Sequence, residues 1–149
     1  MNNSDKETLK KWAMIKKLSI DSIKTTLDKL NHGFDFWLGE SDVNHLIPEM
    51  LKNLEDANKI SKDNGAFVSN LDCDPKILIT KSDGSYLYLT TDLATVLHRL
   101  KNNEFDKILY VVDNRQTLHF KQLFDSINYF SFSNKNFEHI SFGLSLIHI

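Results

Sequence analysis

The stretch that organises this sequence is Tyr86-Leu87-Tyr88-Leu89-Thr90-Thr91-Asp92-Leu93-Ala94-Thr95, which directly follows a Ser82-Asp83-Gly84-Ser85 turn. Apolar residues alternate at first and then recur at helical spacing, so the pattern predicts a strand over residues 86–89 followed by a helix. Tyr88 then leaves the strand and Asp92 enters the helix, and the two side chains can face the same space. That arrangement suits a cationic polar ligand.

Strand and helix patterns alternate through the second half of the chain. The turn at residues 82–85 has hairpin chemistry, and the later apolar run has the length of a buried strand. This alternation predicts an α/β fold with parallel pairing. The predicted strands are residues 66–68, 76–80, 86–89, 107–112 and 138–142, and the predicted helices begin at Thr91 or Asp92 and near Gln116, the latter with Phe120, Leu123, Phe124 and Ile127 inward.

The first half of the chain is predicted to be mainly helical. A short helix carries Leu9, Trp12, Ala13 and Ile15, and a second begins near Ser19 and stops at Gly33. Residues 34–38 alternate like a strand, and a third helix has Pro48 in its first turn and ends before Gly65. Residues 1–65 are therefore expected to form a mostly helical connection within one domain spanning 1–149.

Composition excludes several functions. The net charge of −2, from 18 basic and 20 acidic residues, gives no footprint for non-specific binding to nucleic acid or membrane. The single cysteine, Cys73, excludes an internal disulfide, and the histidines lack metal-ligand spacing, so no metal site is assigned. No apolar run has bilayer-spanning length, and we expect a cytoplasmic protein.

Polar residues follow two of the predicted strands. Tyr88 and Asp92 follow the first, and residues 113–116 with His119 follow the buried strand. Ligands of open α/β sheets bind beyond the carboxyl ends of the strands, so both groups should line one crevice.

Structural roles compete with this interpretation. On spacing alone, Asp92 is more simply a helix cap and Tyr88 a half-buried strand aromatic. Gln116 could satisfy backbone donors at a helix N-terminus, and an inward His119 is more often a hydrogen-bonded core histidine.

Three ordered segments resemble one family. They are Ser82-Asp83-Gly84-Ser85-Tyr86-Leu87-Tyr88-Leu89-Thr90-Thr91-Asp92-Leu93-Ala94, Tyr110-Val111-Val112-Asp113-Asn114-Arg115-Gln116-Thr117-Leu118-His119-Phe120 and His139-Ile140-Ser141-Phe142-Gly143-Leu144. Together with Phe34-Asp35-Phe36-Trp37-Leu38-Gly39-Glu40-Ser41, they resemble the catalytic domain of arginyl-tRNA synthetase, a class I enzyme. The resemblance implies part of a Rossmann-like nucleotide-binding domain, with residues 66–149 forming a β-hairpin and a βαβαβ half after a connecting insertion.

The resemblance also implies functional residues and outweighs the structural interpretation. Carried over by position, Tyr88, Asp92 and Gln116 hold the substrate arginine, whose guanidinium is a planar fork of donors that needs a carboxylate and neutral oxygens. The ATP side falls on His119, Phe142, Gly143 and Leu144. No catalytic residue is assigned, since phosphoryl chemistry of this kind depends on positioning more than on a protein nucleophile.

The implied reaction is ATP-dependent activation of L-arginine and its transfer to tRNA, with Mg²⁺ accompanying ATP. The family's His-x-Gly-His signature, its Lys-Met-Ser-Lys-Ser-like loop and its anticodon-binding domain are absent from this sequence, and residues 145–149 show no resemblance. We therefore expect an internal fragment with a non-native tail, with tRNA contacts mostly outside it, that is aggregation-prone and inactive by itself. The alternative is a non-catalytic α/β binding or assembly module derived from a synthetase. Another class I synthetase is disfavoured by the combination of Tyr88, Asp92 and Gln116.

Overall fold

The computed structural model describes residues 3–143, and their side chains from residue 6 onward. The chain divides into two compact units, Met1–Leu38 and Gly39–Ile149. The helices are α1 (Asn3–Lys29), α2 (Ile47–Asp56), α3 (Tyr88–Asn102) and α4 (Thr117–Tyr129); the strands are β1 (Ile60–Asp63), β2 (Ala66–Ser69), β3 (Lys107–Asp113) and β4 (Asn136–Phe142). The predicted division at residue 65 stays a prediction.

The first unit contains one long helix. The two helices predicted there were wrong, because α1 runs unbroken for 27 residues through a segment that contains neither glycine nor proline. It ends as predicted with residues that tolerate positive φ: Asn31 has φ 53°, and the amide of His32 donates to the carbonyl of Leu27 at 3.0 Å. The strand predicted at residues 34–38 is also wrong, since these residues form no strand and pair with none.

The first α-helix of the second unit is α2, which has proline in its first turn as predicted. A hairpin follows in which β1 pairs antiparallel with β2, with Ile60 opposite Ser69 and Asp63 opposite Ala66. Its turn is Asn64-Gly65, with φ 48° and 85°, and an Asn-Gly pair is the preferred two-residue hairpin loop. The sequence prediction found β2 but missed β1, although this dipeptide was the available signal.

The turn at residues 82–85 forms as predicted, but its flanking strands do not. The amide of Lys81 donates to the carbonyl of Ser85 at 3.0 Å, and Gly84 has φ 81°. Residues 76–80 meet β2 through a single bridge between Leu78 and Val68. Across the turn, a single bridge joins Thr80 to Tyr86, so neither contact forms a ladder. The strand predicted at residues 86–89 is therefore wrong.

The reason lies in the start of α3. This helix begins at Tyr88 after the extended residue Leu87, and the amides of Thr90 and Thr91 both donate to the Leu87 carbonyl. A helix that starts there places its buried residues in one stripe against the core. The burial of this stripe stabilises the helix more than a short alternating pattern stabilises a strand. The stripe comprises Leu89, Leu93 and Val96. Neither Thr91 nor Asp92 is the cap, as both lie inside the helix.

The α/β fold class is confirmed by the last two described strands. Strands β3 and β4 pair in parallel, from Lys107 opposite Asn136 to Asp113 opposite Phe142, and α4 connects them. Within residues 3–143 this is one βαβ unit, where the sequence predicted βαβαβ. The core of the second compact unit is formed by buried apolar side chains from α2, α3 and α4 and from residues 77–79, including Ile47, Ile77, Ile79, Leu93, Val96, Leu123 and Ile127.

Candidate functional site

A cavity of about 580 Å³ opens where the first turns of α3 and α4 approach each other in the second unit. It is lined by Glu40, Tyr88, Asp92, Gln116, His119 and Phe120. The structure therefore brings four of the sequence-predicted residues together. They come from sequence positions up to 31 residues apart, so the cavity is a product of the tertiary fold.

Tyr88 and Asp92 reach this cavity from one helix. Residues four apart on a helix lie on the same face, one turn above the other. The prediction that the two side chains face the same space thus holds with a different backbone from the one expected. Tyr88 is 75% exposed, whereas the side chain of Asp92 is 34% exposed.

His119 contacts Asp92 directly. Its Nε2 lies 2.7 Å from Oδ2 of Asp92, and the ring nitrogen donates because a carboxylate can only accept. The imidazole stands edge-on to the neighbouring ring of Phe120, with centroids 5.2 Å apart at 81°. Phe120 is buried, so the histidine is supported by the core.

The turn after β3 positions Gln116. Asp113 caps this turn, since its Oδ1 accepts from the backbone amide of Arg115 at 2.9 Å and from Arg115 Nε at 2.7 Å. The hydroxyl of Thr117 donates to the carbonyl of Asn114 at 2.6 Å. The hydrogen bond that Arg115 donates to Asp113 raises the pKa of the Arg115 guanidinium. Asp113 and Arg115 are thus engaged with each other, and only Gln116 of this turn lines the cavity.

Glu40 is the lining residue to which sequence reasoning gave no role. It opens a short 3-10 turn, Glu40–Asp42, in which Asp42 Oδ2 accepts from the Gly39 amide at 2.8 Å. Two features could have pointed to Glu40. It lies in the Gly39-Glu40-Ser41 segment that resembles the family, and its negative charge complements the positive charge of a guanidinium. A second carboxylate beside Asp92 makes the cavity more suitable for a cation.

Two residues predicted for the ATP side, Phe142 and Gly143, lie at the end of β4. Phe142 is its last residue and is exposed, and Gly143 adjoins Asn114, whose Nδ2 would be 3.9 Å from a Cβ at that glycine. Leu144 and the tail at 145–149 lie outside the described residues. His139 donates from Nε2 to the carbonyl of Val112 at 3.0 Å, which ties β4 to β3. The ATP assignments, including that of His119, stay predictions.

Other site classes find no support in the described part of the chain. Residues 3–143 contain no group of three or more acidic, histidine or cysteine side chains that could hold a metal ion. Over the same residues, no helix combines the length and the apolar character needed to cross a bilayer.

The cavity offers two carboxylates, a phenol, an amide and an imidazole. Such a set can hold a cation with several N–H donors, because carboxylate oxygens accept strongly from charged donors and the amide and phenol oxygens accept further ones. It contains no nucleophile paired with a base. The arrangement is therefore suited to binding and orienting a ligand.

Comparison with known proteins identifies the family of this chain. A family model described as "tRNA synthetases class I (R), catalytic domain" matches residues 1–148, which assigns the chain to the class I tRNA synthetases. An arginine–tRNA ligase of Francisella tularensis subsp. novicida is 47% identical over 76% of this chain, and a probable cytoplasmic arginine–tRNA ligase of Schizosaccharomyces pombe is 39% identical over 97%. The chain belongs to the arginyl-tRNA synthetase catalytic-domain family.

A solved structure shares the fold. The crystal structure of arginyl-tRNA synthetase from Plasmodium falciparum superposes with a TM-score of 0.82 over 96% of this chain, at 23% identity. The chain spans only a part of these proteins: 20% of the Francisella relative, 24% of the Schizosaccharomyces relative and 26% of the Plasmodium chain.

Proposed function

We propose that this chain forms the arginine-recognising part of an arginine–tRNA ligase. The observation that carries the proposal is the convergence of Tyr88, Asp92 and Gln116 on one cavity, in a chain of this family. Asp92 pairs with the guanidinium, while the oxygens of Tyr88 and Gln116 accept from its remaining N–H groups. Glu40 supplies a second negative charge to the same cavity.

The reaction served is the activation of L-arginine by ATP. A carboxylate oxygen of arginine attacks the α-phosphorus, the bond to the β-phosphate oxygen breaks, and pyrophosphate leaves, giving arginyl-adenylate. A terminal ribose hydroxyl of tRNA(Arg) then attacks the arginyl carbonyl and AMP leaves. The described residues contribute by holding the guanidinium, which fixes the position of the reacting carboxylate.

ATP is a substrate here, and Mg²⁺ is proposed to arrive on its phosphates and to neutralise their charge. We assign the ATP contacts to His119, Phe142, Gly143 and Leu144, and the tRNA contacts mainly to parts of the relatives that this chain does not span. A cytoplasmic location remains part of the proposal; the Schizosaccharomyces relative is described as cytoplasmic. The non-catalytic module is not favoured, since the relatives are ligases.

The test is selective binding without catalysis. In ligand-observed NMR, L-arginine should bind the chain, and L-citrulline, which has nearly the same shape but no charge, should bind at least tenfold more weakly. L-Lysine should also bind more weakly, because a single ammonium cannot fill the sites of a fork. Equal binding of arginine and citrulline would contradict the proposal.

Catalysis is measured separately as arginine-dependent exchange of pyrophosphate into ATP. The chain alone should give none. Exchange above that of a heat-denatured sample would contradict the prediction that the chain is inactive by itself.

A further inference from the structure

His119 and Asp92 form a contact that the assignment of His119 to the ATP side does not use. It joins α3 to α4 across 27 residues of sequence, at the wall of the cavity, with a 2.7 Å hydrogen bond. Both side chains are partly buried, with 25% of His119 and 34% of Asp92 exposed. A charge-assisted bond in such a setting is among the stronger hydrogen bonds in proteins and restricts both partners.

The imidazole is itself held from behind. Phe120, which His119 meets edge-on, packs against Tyr110 at 4.9 Å and against His139 at 4.7 Å between ring centroids. These rings belong to β3 and β4, so the histidine rests on the sheet through a buried aromatic. Its Nε2 is therefore presented to Asp92 by rigid elements.

The bond leaves part of the carboxylate available to a ligand. Oδ2 of Asp92 accepts from His119. A carboxylate has a second oxygen that can accept from a ligand. An aspartate on a helix surface otherwise rotates among several side-chain conformations, and a ligand would have to select one of them. A carboxylate already fixed in place avoids that loss of entropy on binding.

We propose that His119 is a positioning residue that holds the Asp92 carboxylate in the orientation that receives the guanidinium of arginine. The inference rests on the proposed function, because it concerns the affinity of that same cavity. The positioning role requires only a donor at the position of Nε2. A substitution that keeps such a donor should therefore preserve arginine binding, and one that removes the donor should weaken it. A purely structural role predicts no such difference.

The first experiment compares His119→Leu with His119→Gln in the 149-residue chain. The glutamine amide can donate from nearly the same place, whereas leucine cannot. We expect His119→Leu to weaken L-arginine binding about tenfold and His119→Gln to restore it to within about threefold of the original chain. His45→Leu, at an exposed histidine outside the cavity lining, is the matched control and should leave binding unchanged.

Coupling to Asp92 is tested with a double-mutant cycle. In the Asp92→Asn background, His119→Leu should cause little further loss, since the carboxylate that it positions is gone. Independent, additive losses would overturn the positioning role. Thermal unfolding of each variant identifies those that fail to fold. If His119→Leu is one of them, His119→Gln takes its place in the comparison.

A ligand-free measurement separates this proposal from the function on which it rests. Long-range ¹H–¹⁵N correlation should show His119 as the Nε2–H form or doubly protonated, and Asp92→Asn should change its ring signals. If the original chain binds no arginine but this signature is present, the proposed function fails while the hydrogen bond stands. If arginine binds and His119→Leu binds equally well, the positioning role fails while the function stands.

Discussion

At the residue scale, the proposed recognition of arginine depends on the charge of Asp92. The carboxylate lies one helical turn after Tyr88, and it is held at Oδ2 by His119. Asparagine keeps the shape of the side chain but loses the charge and one acceptor oxygen. The residue therefore allows the charge to be tested with little change in packing.

We predict that Asp92→Asn weakens L-arginine binding by tenfold or more, because a charge-assisted interaction with the guanidinium is lost. Competition between L-arginine and L-citrulline should lose most of its selectivity. Asp125→Asn is the matched control, as Asp125 lies on α4 in an exposed pair with Lys121 at 3.0 Å. A loss of the same size in the control would point to an effect of net charge alone.

Tyr110 illustrates a buried hydroxyl with a pH consequence. Its oxygen is buried and makes no hydrogen bond of normal geometry within the described residues, although the guanidinium of Arg99 lies over the ring at 5.6 Å and favours the ionised phenol. Burial raises the pKa of Tyr110 above its ordinary value. The folded pKa then exceeds the unfolded one, so this contribution to stability is complete below the unfolded pKa of about 10 and is lost as pH rises through the folded pKa.

Tyr110→Phe should remove part of the alkaline loss of stability and change stability little at neutral pH, because the hydroxyl it deletes makes no hydrogen bond of normal geometry. The measurement is the free energy of unfolding by denaturant between about pH 8 and 11. Tyr86→Phe, at an exposed tyrosine, serves as the control and should retain the original pH dependence. Identical pH curves for the original chain and Tyr110→Phe would exclude this residue as the source.

At the scale of elements, the β1–β2 hairpin depends on the left-handed conformation of its turn. Gly65 has φ 85°, and a Cβ there would lie 3.3 Å from the carbonyl oxygen of Ser82. Both the conformation and the contact disfavour any side chain. This tight approach brings the hairpin next to the turn at residues 82–85, which leads into α3 and therefore into the cavity.

We predict that Gly65→Ala lowers the free energy of unfolding by about 1–2 kcal/mol. Gly39→Ala should change it by less than about 0.5 kcal/mol, since φ there is −117° and a Cβ would meet Asp42 Oδ2 at an ordinary 3.8 Å. Denaturant unfolding of both variants gives the comparison. Equal effects of the two substitutions would remove the left-handed turn as the cause.

At the scale of the whole molecule, the parallel sheet has one covered face and one exposed face. Ile108, Tyr110 and Val112 of β3 are partly buried on the side of the helices, while the alternating residues of β3 and β4 face away. The exposed apolar side chains are Leu109, Val111, Ile140 and Phe142, with 41–64% of each accessible. This apolar sheet face is exposed, although parallel sheets are normally covered on both sides.

This face should make the chain self-associate. Val111→Thr with Ile140→Thr, paired directly across the strands, should lower light scattering at equal concentration and leave the midpoint of thermal unfolding within a few degrees. Val112→Thr on the covered side is the control, and it should lower the midpoint without improving solubility. Unchanged scattering in the double variant would assign the aggregation to another surface.

The sequence determined the elements whose patterns are long or whose termini carry specific residues. The strand β3 with its apolar run, the helix α4 and the left-handed end of α1 at Asn31 were predictable because periodicity and φ preferences act locally. The site residues Tyr88, Asp92 and Gln116 were predicted from the resemblance to arginyl-tRNA synthetase, because spacing alone favoured structural roles for them.

The tertiary structure decided where α3 begins and what lies across the cavity. Local alternation favoured a strand at residues 86–89, but burying Leu89 in line with Leu93 and Val96 is possible only in a helix. That change places Tyr88 and Asp92 on one helical face. The contact of His119 with Asp92 and the presence of Glu40 could not be predicted from spacing, because they depend on packing between segments distant in sequence.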